Sequence, residues 1–290
     1  MGPALLLYFD DEREPALRLA QAARLDAICV ERHRFPDGEL KLRLPASLPS
    51  RVVLYRSLAH PNEKLVELLF VAQAARQGGA ADLTLVCPYL AYMRQDIAFT
   101  AGEVVSQKIL GRFLASLFDS VVTVDPHLHR VKTLPEAVPA SRATALSAAP
   151  LLGELVAARV PQALLLGPDA ESAQWVAAAA QAQGLAHAVC EKKRHGDHQV
   201  TVQLPDVDLR GRAVVLIDDV ASSGHTLAEA ARGALAAGAK SVDVAVTHAL
   251  FAEGALALVR DAGVRHVWST DSIAHESNAV SLAGMLAWAL

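Results

Sequence analysis

The chain has 290 residues, enough for one large domain or two domains of ordinary size. Apolar residues make up 52% and charged residues 20%, and no apolar run reaches the ~18 residues that a membrane span requires. The net charge of −4 argues against non-specific nucleic-acid binding, which needs a basic surface. The three cysteines are far apart and the first residues lack the basic segment of a signal peptide, so we expect a cytoplasmic protein without disulfides or a membrane anchor.

Short apolar runs alternate with Ala- and Leu-rich segments of helical periodicity along almost the whole chain. The runs predict strands at 4–9, 27–33, 39–44, 51–57, 83–89, 120–126, 163–169, 187–193, 200–204, 213–219, 242–248 and 266–272. The periodic segments predict helices at 13–24, 62–78, 103–117, 147–159, 171–183, 226–237, 253–262 and 280–290. This order predicts an α/β protein whose mostly parallel sheets are covered by helices on both faces. Residues 39–44 alternate strictly, which predicts a half-exposed strand or flap.

A segment rich in Pro, Ala and Ser lies near the middle of the chain, at 129–150. We interpret it as the crossing between two α/β domains, residues 1–145 and residues 146–279. The final apolar helix, 280–290, is expected to pack back on the first domain. The runs "VVTVDPH" and "VVLIDDV" each end in aspartate, one in each half, which is weak evidence for an internal duplication.

The most informative stretch is "AVVLIDDVASSGHTLAEA", residues 213–230. An apolar strand leads into Asp218 and Asp219, and a loop of small residues then opens a helix. Such a loop turns backbone N–H groups toward an anion at the helix N-terminus, while the carboxylates suit sugar hydroxyls. The combination favours a sugar phosphate, although a capped helix after an acidic turn would give a similar pattern.

This stretch resembles the phosphoribosyl diphosphate-binding signature of type I phosphoribosyltransferase folds. Many members carry Asp–Thr–Gly–Gly–Thr where this chain has Ser222, Ser223, Gly224, His225 and Thr226. The substitutions are small and polar except at His225, which replaces a glycine. The resemblance implies that these five residues bind the phosphate of ribose 5-phosphate and that Asp218 and Asp219 bind its ring.

Two further motifs occur in the first half. Residues 34–45 contain a Pro–Asp–Gly turn that alone would predict only a hairpin, and residues 94–96 read Arg–Gln–Asp after a strand. In this order and spacing they resemble the ribose-phosphate diphosphokinases, and the resemblance runs over nearly the whole chain. It implies two phosphoribosyltransferase-like domains and an ATP site formed by Phe35, Asp37, Gly38, Glu39, Arg94 and Gln95.

Other residues take roles only through this resemblance. His127 in "VDPHLHR" matches a histidine that contacts magnesium and nucleotide, although imidazole is an unusual magnesium ligand. Asp169 in "GPDAES" matches an aspartate that binds metal at the ribose phosphate. "CEKKRHGDH" matches the start of a flexible catalytic loop, which implies catalytic roles for Lys192 and Arg194, contact of Arg194 with ribose 5-phosphate, and a possible hinge at Gly196.

The implied reaction transfers the diphosphoryl group of ATP to the anomeric hydroxyl of ribose 5-phosphate, with Mg²⁺ as cofactor and AMP as the second product. The implied partners are these two substrates and further copies of the chain, as a homodimer or larger homo-oligomer, without nucleic acid or membrane. Two alternatives stay open at this point. One is a phosphoribosyltransferase that consumes phosphoribosyl diphosphate, and the other is a non-catalytic paralogue that regulates a synthetase.

Overall fold

The computed structural model describes residues 4–195 and 199–290. Its strands are β1 (Ala4–Tyr8), β2 (Asp26–Cys29), β3 (Glu31–Arg34), β4 (Leu40–Arg43), β5 (Arg51–Tyr55), β6 (Asp82–Cys87), β7 (Ser120–Val124), β8 (Arg142–Leu146), β9 (Leu164–Gly167), β10 (His187–Val189), β11 (Glu191–His195), β12 (Gln199–Gln203), β13 (Ala213–Ala221), β14 (Ser241–Ala249), β15 (Val264–Thr270) and β16 (Asn278–Val280). Its α-helices are α1 (Arg13–Ala23), α2 (Pro61–Gln77), α3 (Ser106–Leu117), α4 (Leu134–Ala137), α5 (Ala149–Arg159), α6 (Ala173–Gln183), α7 (His225–Ala236), α8 (Ala255–Asp261) and α9 (Ala283–Trp288).

The chain divides into two compact units. The first runs to Leu146 and includes Leu282–Leu290, and the second comprises Ser147–Ser281. In the first unit α9 packs on α1, and in the second α5 packs on α6. Among the described residues, no helix combines the length and apolarity needed to cross a bilayer.

Each unit is built on a six-stranded parallel sheet. The strand order is β2-β1-β5-β6-β7-β8 in the first and β10-β9-β13-β14-β15-β16 in the second. The central strands are buried along almost their whole length because helices cover both faces. Leu68 and Val71 of α2 and Leu114 of α3 are buried against the first sheet. The predicted fold class, two α/β halves with mostly parallel sheets flanked by helices, is confirmed.

A two-stranded antiparallel hairpin follows the second strand of each unit. β3 pairs with β4 in the first, and β11 pairs with β12 in the second. The sequence predicted one continuous strand at 27–33 and another at 187–193, and both predictions are wrong. Each run is interrupted by a buried residue, Val30 or Cys190, at which the chain leaves the parallel sheet and enters the hairpin.

The two units share one order of elements, so the chain is internally repeated. β1, α1, β2, the β3–β4 hairpin, β5, α2 and β6 correspond in order to β9, α6, β10, the β11–β12 hairpin, β13, α7 and β14. The pairing of "VVTVDPH" with "VVLIDDV" was wrong, because the first is β7 and the second is β13, whose counterpart is β5. The proline-rich segment also contains more structure than a crossing, since α4 and the edge strand β8 lie within it.

Candidate functional site

The central strand of the second sheet is longer than predicted. β13 continues through Asp218 and Asp219 to Ala221, because Val220 and Ala221 still pair with β14. Asp219 is only 2% exposed, and Asp218 is half-buried. The two carboxylates therefore lie within the carboxyl end of the strand rather than in the loop that follows it.

Three carboxylates lie at this edge, near enough for their charges to interact. Asp169 follows β9, the neighbour of β13, and accepts a hydrogen bond from the N–H of Glu171 at 3.1 Å. Asp218 accepts one from the N–H of Asp219 at 2.9 Å. Burial, followed by the negative charges of Asp219 and Asp169, raises the pKa of Asp218 well above its ordinary value. The cluster therefore favours a ligand that brings positive charge or hydrogen-bond donors.

A tight loop joins β13 to α7. Gly224 has φ +76°, and a Cβ there would lie 2.8 Å from the carbonyl oxygen of Ala255, so this position requires glycine for two reasons. His225 is the first residue of α7 and is exposed. Because residue 225 has ordinary helical geometry, a histidine can stand there in place of the glycine found in the related signature. Among the described residues no side chain caps the α7 N-terminus, so its first N–H groups remain suited to an anion.

The loop is held by the segment that follows β14. The N–H groups of Phe251 and Ala252 donate to the carbonyls of Ala221 and Ser222 at 2.8 and 2.9 Å. The Phe251 ring stacks on His275, with centroids 5.1 Å apart. These contacts hold the loop backbone in place, which lowers the cost of ordering it on binding.

Sequence reasoning missed a buried polar group at the ends of β14 and β15. His248 is 2% exposed, and its Nδ1 lies 2.9 Å from the hydroxyl of Ser272. The hydroxyls of Thr270 and Ser272 both donate to the carbonyl of Thr247, at 2.6 and 2.9 Å. His248 pairs in register with Val220, next to Asp219. The polar ends "VTH" and "STDS" on otherwise apolar strands were the available signal.

In the first unit the predicted ATP residues lie on two separate elements. Phe35, Asp37, Gly38 and Glu39 form the exposed tip of the β3–β4 hairpin. The N–H of Phe35 donates to the carbonyl of Glu39 at 2.9 Å, and Gly38 has φ +94°. The alternating segment 39–44 is the half-exposed strand that was predicted.

The second element is the loop after β6. Arg94 is exposed, and the amide Nε2 of Gln95 donates to the carbonyl of Ile97 at 3.0 Å. Asp96 is buried and accepts from Arg130 Nη1 at 2.6 Å, which ties this loop to the one after β7. His127 lies in that second loop, half-buried, with its ring 4.3 Å from that of His129. The structure thus brings Arg94 and Gln95 together with the His127 loop.

Lys192 and Arg194 lie on β11 of the second hairpin, opposite Val202 and Val200 of β12. The predicted flexible loop is therefore the β11–β12 hairpin. Its predicted hinge, Gly196, lies outside the described residues.

Comparison with known proteins follows this two-unit division. Residues 5–117 match the N-terminal domain of ribose phosphate pyrophosphokinase, and residues 146–283 match the phosphoribosyl transferase domain. A ribose-phosphate pyrophosphokinase of Methanopyrus kandleri is 35% identical over 277 residues, covering 94% of each chain. The chain belongs to the ribose-phosphate pyrophosphokinase family.

Other relatives agree with this assignment. Ribose-phosphate pyrophosphokinase 2 of Archaeoglobus fulgidus is 35% identical over 272 residues and 94% of each chain. Among solved structures, phosphoribosylpyrophosphate synthetase from Mycobacterium smegmatis matches with a TM-score of 0.83 over 99% of this chain and 97% of the other, at 22% identity. This likeness shows that the fold of that synthetase spans nearly the whole chain. The predicted family and its phosphoribosyltransferase-like domains are confirmed.

Proposed function

We propose that this protein is a ribose-phosphate diphosphokinase that converts ATP and ribose 5-phosphate into phosphoribosyl diphosphate and AMP. The observation that supports this best is the juxtaposition of three carboxylates, one with a raised pKa, with the glycine-dependent loop at the α7 N-terminus. Carboxylates accept hydrogen bonds from sugar hydroxyls, and helix N–H groups bind phosphate. We assign ribose 5-phosphate to Asp218, Asp219 and residues 222–226.

ATP is assigned to the first unit, to the hairpin tip and the 94–95 loop, together with His127. Phe35 is 39% exposed and offers its ring to a base. Arg94 is exposed and offers its guanidinium to phosphate oxygens. The N-terminal family match, which a simple phosphoribosyltransferase would not require, favours a second substrate of this kind.

In the proposed reaction the anomeric hydroxyl attacks the β-phosphorus of ATP in line and loses its proton. The bond between the β-phosphorus and the bridging oxygen to the α-phosphate breaks, and AMP leaves with that oxygen. Such a transfer depends on positioning and charge neutralisation rather than on a covalent protein intermediate. Lys192 and Arg194 are proposed to neutralise phosphate charge, with Arg194 also contacting ribose 5-phosphate.

Mg²⁺ fits the donor set at the second sheet edge. Asp169 and its neighbours Asp218 and Asp219 provide hard oxygen ligands. The pKa of Asp218 is raised by burial and then by the negative charges of Asp219 and Asp169, and a cation would offset those charges. We propose that Asp169 binds the ion there, and that His127 contacts the nucleotide phosphates or their metal. A bound Mg²⁺ would neutralise diphosphate oxygens and so favour the transfer.

The deciding experiment incubates purified protein with ATP, ribose 5-phosphate and MgCl₂ and measures AMP. We expect AMP formation that requires the sugar phosphate and is abolished by EDTA. The absence of sugar-dependent AMP would contradict the proposal. Base-dependent loss of phosphoribosyl diphosphate would instead identify a phosphoribosyltransferase.

We also propose that the protein is a homo-oligomer that associates through the α2–α3 face of the first unit. This face has a groove of about 450 Å³ lined by Leu65, Leu69 and Phe113, beside exposed Val66 and Ile109. An apolar groove beside projecting apolar side chains suits a second copy, because a twofold axis lets each copy fill the other's groove. Light scattering should give a smaller mass for Ile109→Glu than for the control Lys108→Glu, and equal masses would contradict this interface.

A further inference from the structure

A network of ion pairs, buried at its centre, closes the carboxyl edge of the first sheet. At its centre is Arg56, 1% exposed, directly after β5. Its Nε donates to Glu67 at 2.8 Å, and its Nη1 donates to both oxygens of Asp11 at 2.9 and 2.8 Å. Its guanidinium also lies 4.5 Å from the ring centroid of Phe9. The network thereby joins β5, α2 and the turn after β1.

Two arginines of the β3–β4 hairpin extend this network. Arg32 donates through Nη1 to Glu67 at 2.7 Å and through Nη2 to Asp10 at 2.8 Å. Arg34 donates through Nη1 to Glu63 at 2.8 Å. Arg32 is the more buried anchor, since its side chain is 23% exposed and that of Glu67 is 1% exposed. Phe35, at the tip, follows Arg34 directly, so these two arginines orient the base of the tip.

The same network reaches the loop that carries Arg94 and Gln95. Buried Glu12, 3.2 Å from Arg56, accepts from the N–H of Ser57 at 3.1 Å. The hydroxyl of Ser57 accepts from the N–H of Tyr89 at 3.3 Å, and the N–H of Leu58 donates to the carbonyl of Tyr89 at 2.9 Å. One connected set of contacts thus links both elements to which we assign ATP.

The hairpin of the second unit gives a second, independent observation. Both hairpins begin with glutamate after a buried residue, so Arg32 and Arg34 occupy the positions of Lys192 and Arg194. The α2 positions of Glu63 and Glu67 correspond to Leu227 and Ala231 of α7, counted from the left-handed N-caps His60 and Gly224. The carboxylates that hold the first hairpin therefore have apolar counterparts in the second unit.

We propose that Arg32 is a positioning residue for the nucleotide. It fixes the β3–β4 hairpin against α2 and the turn after β1, so that Phe35, Asp37 and Glu39 keep one orientation. This inference rests on the proposed assignment of ATP to the hairpin. Loss of Arg32 should leave the fold intact, because Glu67 keeps Arg56 and because Leu42 of β4 still packs on the core. Loss of Arg32 should, however, release the hairpin tip. Because a misplaced contact group weakens binding steeply, the affinity for ATP should fall.

The test compares Arg32→Met with Arg43→Met. Arg43 lies on the same hairpin and donates to Glu31 at 2.7 Å, but both members of that pair belong to the hairpin itself. We expect Arg32→Met to weaken ATP affinity about tenfold in equilibrium dialysis and to raise KM for ATP similarly, with KM for ribose 5-phosphate unchanged. Arg43→Met should leave all three values unchanged.

Equal ATP affinities for the two variants, or a parallel rise in KM for ribose 5-phosphate, would overturn the inference.

Should Arg32→Met fail to fold, the exposed pair of Arg34 and Glu63 provides the test. Arg34→Glu should weaken ATP binding, and Arg34→Glu with Glu63→Arg should restore it. Restoration supports the inference, and its failure opposes it. ATP dialysis needs no turnover, so a wild-type protein that binds ATP but forms no AMP would refute the proposed reaction alone.

Discussion

The ends of β5 and β13 occupy the same place in the two units but have opposite electrostatics. Counted from the strand starts, Arg56 and Ser57 correspond to Asp218 and Asp219. Arg56 has its charge balanced by Asp11, Glu12 and Glu67, whereas burial and then the negative charges of Asp219 and Asp169 raise the pKa of Asp218. The first unit has therefore closed this position with its own side chains, whereas at the second strand end we propose that ribose 5-phosphate binds.

The loops that follow these two strand ends differ in length. Residues 57–59 separate Arg56 from the N-cap His60, whereas residues 219–223 separate Asp218 from the N-cap Gly224. Both N-caps are left-handed, with φ of 53° and 76°, so the entry into the helix is shared while the second loop is longer. Neighbouring carboxylates that raise one another's pKa reduce stability, and such clusters are found preferentially at binding sites.

The largest expected effect concerns the two hairpins. Lys192→Ala should lower turnover by about 10³-fold, because an ammonium that stabilises transferring phosphate acts mainly in the transition state. Its counterpart in the first unit should behave differently, since Arg32→Met is expected to alter KM for ATP more than kcat. Steady-state AMP formation measures both. Lys193→Ala is the control. Near-full turnover in Lys192→Ala would show that the two hairpins do not differ in their contribution to turnover.

The second prediction removes a carboxylate from the closed strand end. Glu67→Gln should lower the free energy of unfolding by about 3 kcal/mol, because it breaks a buried ion pair and leaves Arg32 and Arg56 short of a partner. Urea unfolding measures this. The exposed pair of Glu229 and Arg232 on α7 is the matched control, and Glu229→Gln should change stability by less than about 0.5 kcal/mol. Equal effects of the two substitutions would mean that the network contributes no more than a surface pair.

The sequence predicted the fold class because the strand–helix alternation of a parallel sheet is a local pattern. It did not predict the breaks at Val30 and Cys190, since each interrupts an otherwise continuous β-like run. The true counterpart of β13 was missed because Arg–Ser follows β5 where β13 has Asp–Asp, the very difference that separates the two units. Motifs indicated Asp169, Asp218, Asp219 and Gly224, and their assignment to a binding site stays a prediction.

Long-range polar contacts could not be predicted in the same way. Asp11, Arg32, Arg56 and Glu67 are scattered over more than fifty residues and match no motif, and only the fold brings their charges together. His248 and Ser272 meet for a similar reason, at the ends of two neighbouring strands.

The smallest expected effect is a gain in stability for Asp218→Asn, opposite in sign to the loss expected for Glu67→Gln. The folded-state pKa of Asp218 lies above its unfolded value, so the folded protein binds this proton more tightly, and ionisation at neutral pH opposes folding. Asp218→Asn removes that charge and should raise the melting temperature by about 2 °C at pH 7.5. The gain should shrink as the pH falls through the folded-state pKa, because the wild-type carboxyl then becomes neutral as well.

Thermal melts of the wild type and Asp218→Asn, without Mg²⁺ and at a series of pH values, measure this difference. A lower melting temperature for the variant at pH 7.5 would mean that Asp218 is balanced by partners within the protein, as Arg56 is in the first unit. Saturating Mg²⁺ and ribose 5-phosphate should stabilise the wild type more than the variant, since ligands that bind the ionised site offset its repulsion. Opposite signs for Glu67→Gln and Asp218→Asn would show that one strand end is stabilised by its carboxylates and that the other holds them at a cost to stability.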